Sequence, residues 1–195
     1  MKIGVLALQG AFVEHMDILQ KLGVEALEIR KAEQLEDIDG LIIPGGESTT
    51  IGKLLEQYHI LEVIRKKGEE GFPLLGTCAG LILLSKKIQD GLPNQPLLKL
   101  MDIETVRNAF GRQTESFETK INLESIGIND FNGVFIRAPF IKNTGGNVKI
   151  LARYNDSIVA VQQGNITALA FHPELTGDPR IHQYFINIAA RSNND

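Results

Sequence analysis

Cys78 is the one thiol in a chain of 195 residues, and it sits in Gly76-Thr77-Cys78-Ala79-Gly80, a G-x-C-x-G segment. Between a short apolar strand and an apolar helix, this pattern is the cysteine form of a nucleophile elbow. The flanking glycines permit a tight strand-to-helix turn that pushes the thiol out at the carboxyl edge of a sheet. There the amino end of the helix supplies positive potential and free N–H groups, which favour the thiolate. The N–H of Ala79, directly after the nucleophile, is placed to help hold an oxyanion. A thiol nucleophile needs a base, and the base needs an orienting group. Phe171-His172-Pro173-Glu174 offers both, because in an extended chain the side chains of His172 and Glu174 share one face. The carboxylate then accepts from one imidazole nitrogen and leaves the other facing the thiol. Pro173 restricts His172 to extended backbone geometry and so helps the pair keep its alignment. Taken singly, Cys78 reads as a small buried hydrophobe and His172-Glu174 as a surface pair. Their combination is what points to acyl transfer through a thiol.

A third segment, Pro44-Gly45-Gly46-Glu47-Ser48-Thr49, closes another apolar strand. Glycines there let the backbone approach a ligand and present N–H groups to it, so a second oxyanion donor can come from Gly45 or Gly46. Ser48 is a poor nucleophile candidate, since Gly46-Glu47-Ser48-Thr49-Thr50 lacks the closing glycine of G-x-S-x-G. Neither a G-x-x-x-x-G-K-[ST] loop nor a G-x-G-x-x-G fingerprint occurs, which leaves nucleotide binding unsupported. One cysteine and four scattered histidines form no metal-ligand spacing. His15, His59 and His182 are weaker candidates for a base, because none has a carboxylate at so constrained a spacing.

The elements that must carry these residues follow from apolar periodicity. Residues 3–8 form a short apolar run; Phe12, Met16, Leu19 and Leu22 then recur at helical steps, with Gly23 as the stop. Strands are expected at 24–30, 39–43 and 73–76, and helices after Ser48, Thr49 and Thr50 as candidate caps, over 61–67 and over 81–84. Strand and helix in alternation predict a parallel sheet covered by helices on both faces. The second half changes rhythm. Short strands at 100–106, 117–121, 134–136, 148–152, 158–162 and 167–171 are separated by turn residues, before a last helix over 179–190. The expected fold is therefore a three-layer α/β domain spanning residues 1–195, with a mostly parallel central sheet extended by antiparallel strands.

Composition narrows the function classes. Hydrophobic residues make up 43% and charged residues 23%, ordinary values that indicate neither disorder nor a membrane protein. No apolar run approaches the roughly 18 residues a spanning helix needs, and no secretory signal is visible at the start. A net charge of −4 with scattered Lys and Arg gives no footprint for nucleic acid or anionic lipid. A lone cysteine excludes an internal disulfide and points to a reducing, cytoplasmic location.

A glycine-rich strand end, a G-x-C-x-G elbow and a late His-Pro-Glu, in that order, resemble the class I, triad-type glutamine amidotransferases. Further segments narrow the resemblance to the glutaminase subunits of pyridoxal phosphate synthases. These are Leu8-Gln9-Gly10-Ala11 with Glu14-His15, Pro44-Gly45-Gly46-Glu47-Ser48-Thr49-Thr50, Gly76-Thr77-Cys78-Ala79-Gly80-Leu81, Arg107-Asn108-Ala109-Phe110-Gly111-Arg112-Gln113 with Ser116-Phe117, Val134-Phe135-Ile136-Arg137-Ala138-Pro139 and Phe171-His172-Pro173-Glu174-Leu175. They span nearly the whole chain in order. The resemblance implies a flavodoxin-like fold and a Cys78–His172–Glu174 triad that hydrolyses glutamine. It also implies that Gly46, Glu47, Ser48, Arg107, Ile136 and Arg137 contact the glutamine; for the arginines there is a chemical reason, since guanidinium forks suit its α-carboxylate. The implied partner is a (β/α)8-barrel synthase subunit that combines the ammonia with a pentose phosphate and a triose phosphate. Pyridoxal phosphate is then the product of the complex, and this chain needs no cofactor. Rival readings are a glutaminase serving another synthase, such as the one making imidazole glycerol phosphate, a non-catalytic module that has kept the fold, and a stress-related thiol protein. The last leaves His172-Pro173-Glu174 without a role.

Overall fold

The computed structural model describes residues 1–92, 94–107 and 116–192. Its first half alternates strand and helix: β1 (Lys2–Leu6), α1 (Phe12–Lys21), β2 (Glu25–Ile29), β3 (Gly40–Ile43), α2 (Ser48–Gln57), α3 (Leu61–Glu69), β4 (Leu74–Thr77) and α4 (Ala79–Leu84). β3 and β4 are buried along their whole length, as parallel strands covered on both faces must be. α1 stops where Gly23 takes a φ of 72°, the left-handed conformation that turns a chain off a helix end. α2 starts differently from the sequence expectation. Its cap is Glu47, whose carboxylate accepts from the N–H groups of Thr49 and Thr50, while Ser48, Thr49 and Thr50 are already helical. Residue 47 keeps an extended backbone, with φ of −98° and ψ of 108°, and so takes the capping place.

The second half contains β5 (Ser85–Gln89), β6 (Met101–Val106), β7 (Ser116–Leu123), β8 (Ile128–Ile136), β9 (Phe140–Thr144), β10 (Lys149–Tyr154), β11 (Ser157–Gln163), β12 (Ile166–Leu169) and α5 (Arg180–Ser192). The segment expected at 134–136 is the end of the longer β8. β5 and β9 were not expected. Each carries lysine and few apolar residues, so neither has the alternation by which a strand is recognised.

The central sheet runs β2-β1-β3-β4-β12-β11-β9-β6-β5, with β10 paired to β11. The first five strands are parallel to one another, and β12–β11, β11–β9 and β9–β6 are antiparallel. This is the mixed sheet the sequence predicts. β7 and β8 leave it and pair as a separate two-stranded sheet. Aromatic packing seats that hairpin: Phe117 stacks on Phe135 at 4.7 Å between ring centres, and Phe135 meets Phe171 at 5.5 Å.

From β1 the chain steps through α1 to β2 on one side, and from β3 through α2 and α3 to β4 on the other. Right-handed crossovers in opposite directions put α1 on one face and α2 with α3 on the opposite face. α5 joins α1, since His182 lies against His15. Because β1, β3, β4 and β12 run the same way, their carboxyl ends and following loops meet at one edge, where open α/β sheets bind ligands. No helix among the described residues is long and apolar enough to cross a membrane.

One close approach holds that edge together. A Cβ on Gly80 would collide with the carbonyl oxygen of Ile43 at the end of β3. Gly80→Ala is therefore expected to lower stability by about 1–3 kcal/mol, read as a lower urea midpoint at unchanged slope. A midpoint equal to the parent's would show that α4 can move off β3 freely.

Candidate active site

Cys78 connects β4 to α4 with φ of 48° and ψ of −98°. A non-glycine residue held there costs about 1–3 kcal/mol, so the surrounding structure must enforce it. Part of the enforcement is a hydrogen bond from the Cys78 N–H to the Leu169 carbonyl of β12, at 2.8 Å. α4 begins at the next residue, so the N–H of Ala79 is one of those left without a partner inside the helix. The thiol is 8% exposed, and its sulfur lies 4.0 Å from the carbonyl oxygen of Ile136.

His172 follows β12 and is tied to β8 by its N–H, which donates to Val134 at 2.8 Å. Its Nδ1 lies 2.7 Å from Glu174 Oε1. The pairing is the expected one, but the backbone is not extended throughout. His172 has φ of −105° and ψ of 88°, and Pro173–Leu175 forms a single 3-10 turn that returns Glu174 beneath the imidazole. Pro173 keeps the preceding residue out of the helix and opens the turn with its own preset φ. Burial alone would lower the His172 pKa. Hydrogen bonding to Cys78 and Glu174, and the charges of both, outweigh it and push the pKa up to about 10. The imidazole is therefore protonated at neutral pH, held between the sulfur and a carboxylate whose side chain is 0% exposed.

Around these groups lies a cleft of about 370 Å³, the size of a small-molecule site. Every residue expected from the sequence to act in catalysis or to contact glutamine lines it except Glu174, which sits behind His172. Gly45 touches both partners: a Cβ there would collide with His172 Cε1 and meet Cys78 Cβ at 3.4 Å. Its carbonyl accepts from the N–H of Ala11 at 3.1 Å, which fixes the orientation of the Gly45–Gly46 peptide. On the far rim, Glu47 accepts from Thr49, Thr50 and the Arg107 guanidinium, the last at 3.0 Å. Burial opposes ionisation of Glu47, but the hydrogen bonds from Thr50 and Thr49 outweigh it and bring its pKa to about 2. Ile136 and Arg137 are exposed on the rim, Arg137 with a φ of 42°. Residues 108–113, including Arg112, lie outside the described residues.

Several neighbours were given no role by the sequence. Gln9 Oε1 accepts from the Glu47 N–H at 2.8 Å, and Gln95 Nε2 donates to Ser48 Oγ at 3.1 Å. Gln95 has no local signal, because only the folded chain brings it to α2. His15 and His182, set aside above as bases, lie fully buried behind Glu174. Among the described residues, no three His, Cys, Asp or Glu side chains are grouped as a metal site would be.

The family model of the SNO glutamine amidotransferases matches residues 5–191. A relative from Desulforamulus reducens, described as pyridoxal 5'-phosphate synthase subunit PdxT, is 56% identical over 188 residues, covering 96% of this chain and 99% of its own. A protein of the same description from Thermus thermophilus is 54% identical over 188 residues, covering 96% and 97%. A solved structure described as a glutamine amidotransferase superposes with a TM-score of 0.92 at 53% identity, covering 96% of this chain and 98% of that one. A putative GMP synthase component from Thermoplasma acidophilum shares the fold at a TM-score of 0.72 and 21% identity, covering 100% of this chain and 96% of that one.

The His172 pKa gives a direct test. It is raised above the ordinary histidine value of 6.5 to about 10. The stability it contributes is therefore fully present below about pH 6.5 and lost as the pH rises through about 10. In Cys78→Ala one of the two groups raising it is gone, so its titration should move to lower pH. Ring-nitrogen NMR of His172 in both proteins checks this, and identical titrations would remove Cys78 as a partner.

Proposed function

The chain belongs to the SNO glutamine amidotransferase family, and on that premise we propose that it hydrolyses L-glutamine to L-glutamate and ammonia through Cys78, His172 and Glu174. We further propose that it acts as one domain over residues 1–195, delivering the ammonia to a pyridoxal 5'-phosphate synthase subunit built as a (β/α)8 barrel. The observation that supports the chemistry best is His172, bonded to Glu174 on one side and facing the thiol of the strained elbow on the other. The relatives' description as pyridoxal 5'-phosphate synthase subunits supports the partner, and the lone thiol suits a reducing cytoplasm.

In this mechanism the Cys78 thiolate attacks the side-chain amide carbon of glutamine. The oxyanion is held by the N–H of Ala79 and by a second donor from the Gly45–Gly46 turn. The imidazolium of His172 gives its proton to the departing ammonia, leaving a glutamyl thioester on Cys78. The neutral imidazole then takes a proton from water, whose oxygen attacks the thioester carbon and releases glutamate and the thiolate. Gly46, Glu47, Ser48, Arg107, Ile136 and Arg137 hold the amino acid end. Arg107 and Arg137 suit the α-carboxylate, and the Glu47 carboxylate suits the α-ammonium. Arg107 is already paired with Glu47, so bound glutamine competes for it.

Cys78→Ala should abolish glutamate release while the fold persists, and Glu174→Gln should be much less damaging than His172→Asn, because the carboxylate orients while the imidazole moves protons. Steady-state rates decide: hydrolysis by Cys78→Ala would overturn the mechanism, and a worse Glu174→Gln would reverse the two roles.

Alone, the chain should be a poor glutaminase. The Ala11–Gly45 hydrogen bond locks a peptide that must present a donor, and one missing oxyanion donor costs about 100- to 1,000-fold. Docking of the synthase against the rim needs to favour the competent arrangement by only a few kcal/mol. Glutamate release at saturating glutamine should therefore rise steeply with added synthase subunit. Equal rates with and without it would refute the switch.

A further inference from the structure

Glu174 is completely enclosed, yet only one of its oxygens is accounted for. Oε1 bonds His172, whereas Oε2 has no hydrogen bond of good geometry. A buried carboxylate oxygen without a donor is expensive. Among the described residues, the only basic side chains within 4.0 Å of Glu174 are His172 and His15. His15 is 0% exposed, and its Nε2 lies 3.4 Å from Glu174 Oε2 and 3.3 Å from Thr77 Oγ1. Its Nδ1 lies 2.8 Å from Nε2 of the equally buried His182, whose Nδ1 has no partner.

Resting on the triad reading above, we propose that His15, backed by His182, is a positioning residue: its Nε2–H restrains the outer oxygen of Glu174 and so keeps Oε1 aimed at His172. The tautomers follow from the chain of contacts. If His15 carries its proton on Nε2, that N–H faces Thr77 Oγ1 and the carboxylate together, Nδ1 accepts from His182 Nε2–H, and the atom left over is a bare nitrogen on His182. The opposite arrangement turns a lone pair toward the carboxylate and buries an orphaned N–H on His182. Orphaned buried N–H groups are rarer than unsatisfied acceptors. Both rings stay neutral: burial, with His182 and His172 nearby, holds the His15 pKa well below its ordinary value, and burial brings that of His182 to about 4. Neutrality matters, because a second imidazolium would compete with His172 for the same carboxylate. The Nε2 direction favours Thr77 Oγ1 at 3.3 Å, so the 3.4 Å contact with Glu174 is poorly aligned as it stands, and such bonds commonly realign and tighten when substrate binds.

His15 does not line the cleft, so its loss should act on kcat rather than on KM. His15→Gln carries an amide near the Nε2 position and can still reach Glu174. His15→Asn is shorter, reaching His182 from the Nδ1 position but not Glu174. In the synthase complex, Asn should lower kcat roughly 10- to 100-fold with KM within about twofold, and Gln should retain most activity. If His15 served only to hold His182, the order would reverse, and an Asn variant as active as Gln or better overturns the proposal. Histidine-15N NMR of the unmutated chain tests it without a variant: Nε2–H on His15 is expected, and Nδ1–H overturns it. Cys78→Ala run alongside separates the two hypotheses, since activity there sinks the triad itself, whereas an inert Cys78→Ala with a fully active His15→Asn sinks only the positioning role.

Discussion

Four parallel strands, β1, β3, β4 and β12, hold adjacent places in the sheet, and their register brings the chemistry together. Leu169 pairs with Thr77 and Ile43 with Gly76. The residues following each strand are thereby brought to the same height above the sheet. Cys78 follows β4, the Gly45–Gly46 turn follows β3, His172 follows β12, and the Gln9–Ala11 loop follows β1. A slip of one residue in any of these pairings would turn the following side chain to the opposite face. The ladder of buried Leu, Ile and Val on both faces resists such a slip, so core packing and site geometry rest on one constraint.

Within that frame the electrostatics follow from burial. A carboxylate inside the protein is tolerable only where donors surround it, and His172 is the donor that also faces the thiol. The same low-dielectric surroundings that make Glu174 costly strengthen its hold on the imidazolium. On the solvent side, Glu47 answers a different need. It caps α2 and engages Arg107, so the rim is already organised around opposite charges before an amino acid arrives.

Two of the eight described non-glycine residues with positive φ stand at the same edge. Cys78 and Arg137 both have positive φ, at 48° and 42°, and both line the cleft. Neither is a glycine, so each conformation is held by neighbours: Cys78 by its bond to β12, and Arg137 by its place at the end of the β8 hairpin. Strained residues grouped around a pocket are poised to respond to what binds there.

Much of this was legible in the chain itself. The elbow, the glycine turn and His-Pro-Glu are local patterns whose chemistry depends on neighbours in sequence, and the alternation of apolar runs carried the parallel core. Boundaries depended on finer competition: Glu47 displaced three better-known capping residues, and Pro173 started a turn where extension was expected. What the sequence could not indicate were contacts made only on folding. β5 and β9 lack an apolar period because they pair far from the core's centre, and their ladder bonds leave no mark in composition. Gln95 reaches Ser48 across 47 positions, and His15 meets His182 across 167. A histidine inside an apolar helix pattern looks the same whether it faces solvent, a core or a carboxylate. Only the placing of α1 and α5 on one face of the sheet turned two histidines set aside as bases into the wall behind Glu174.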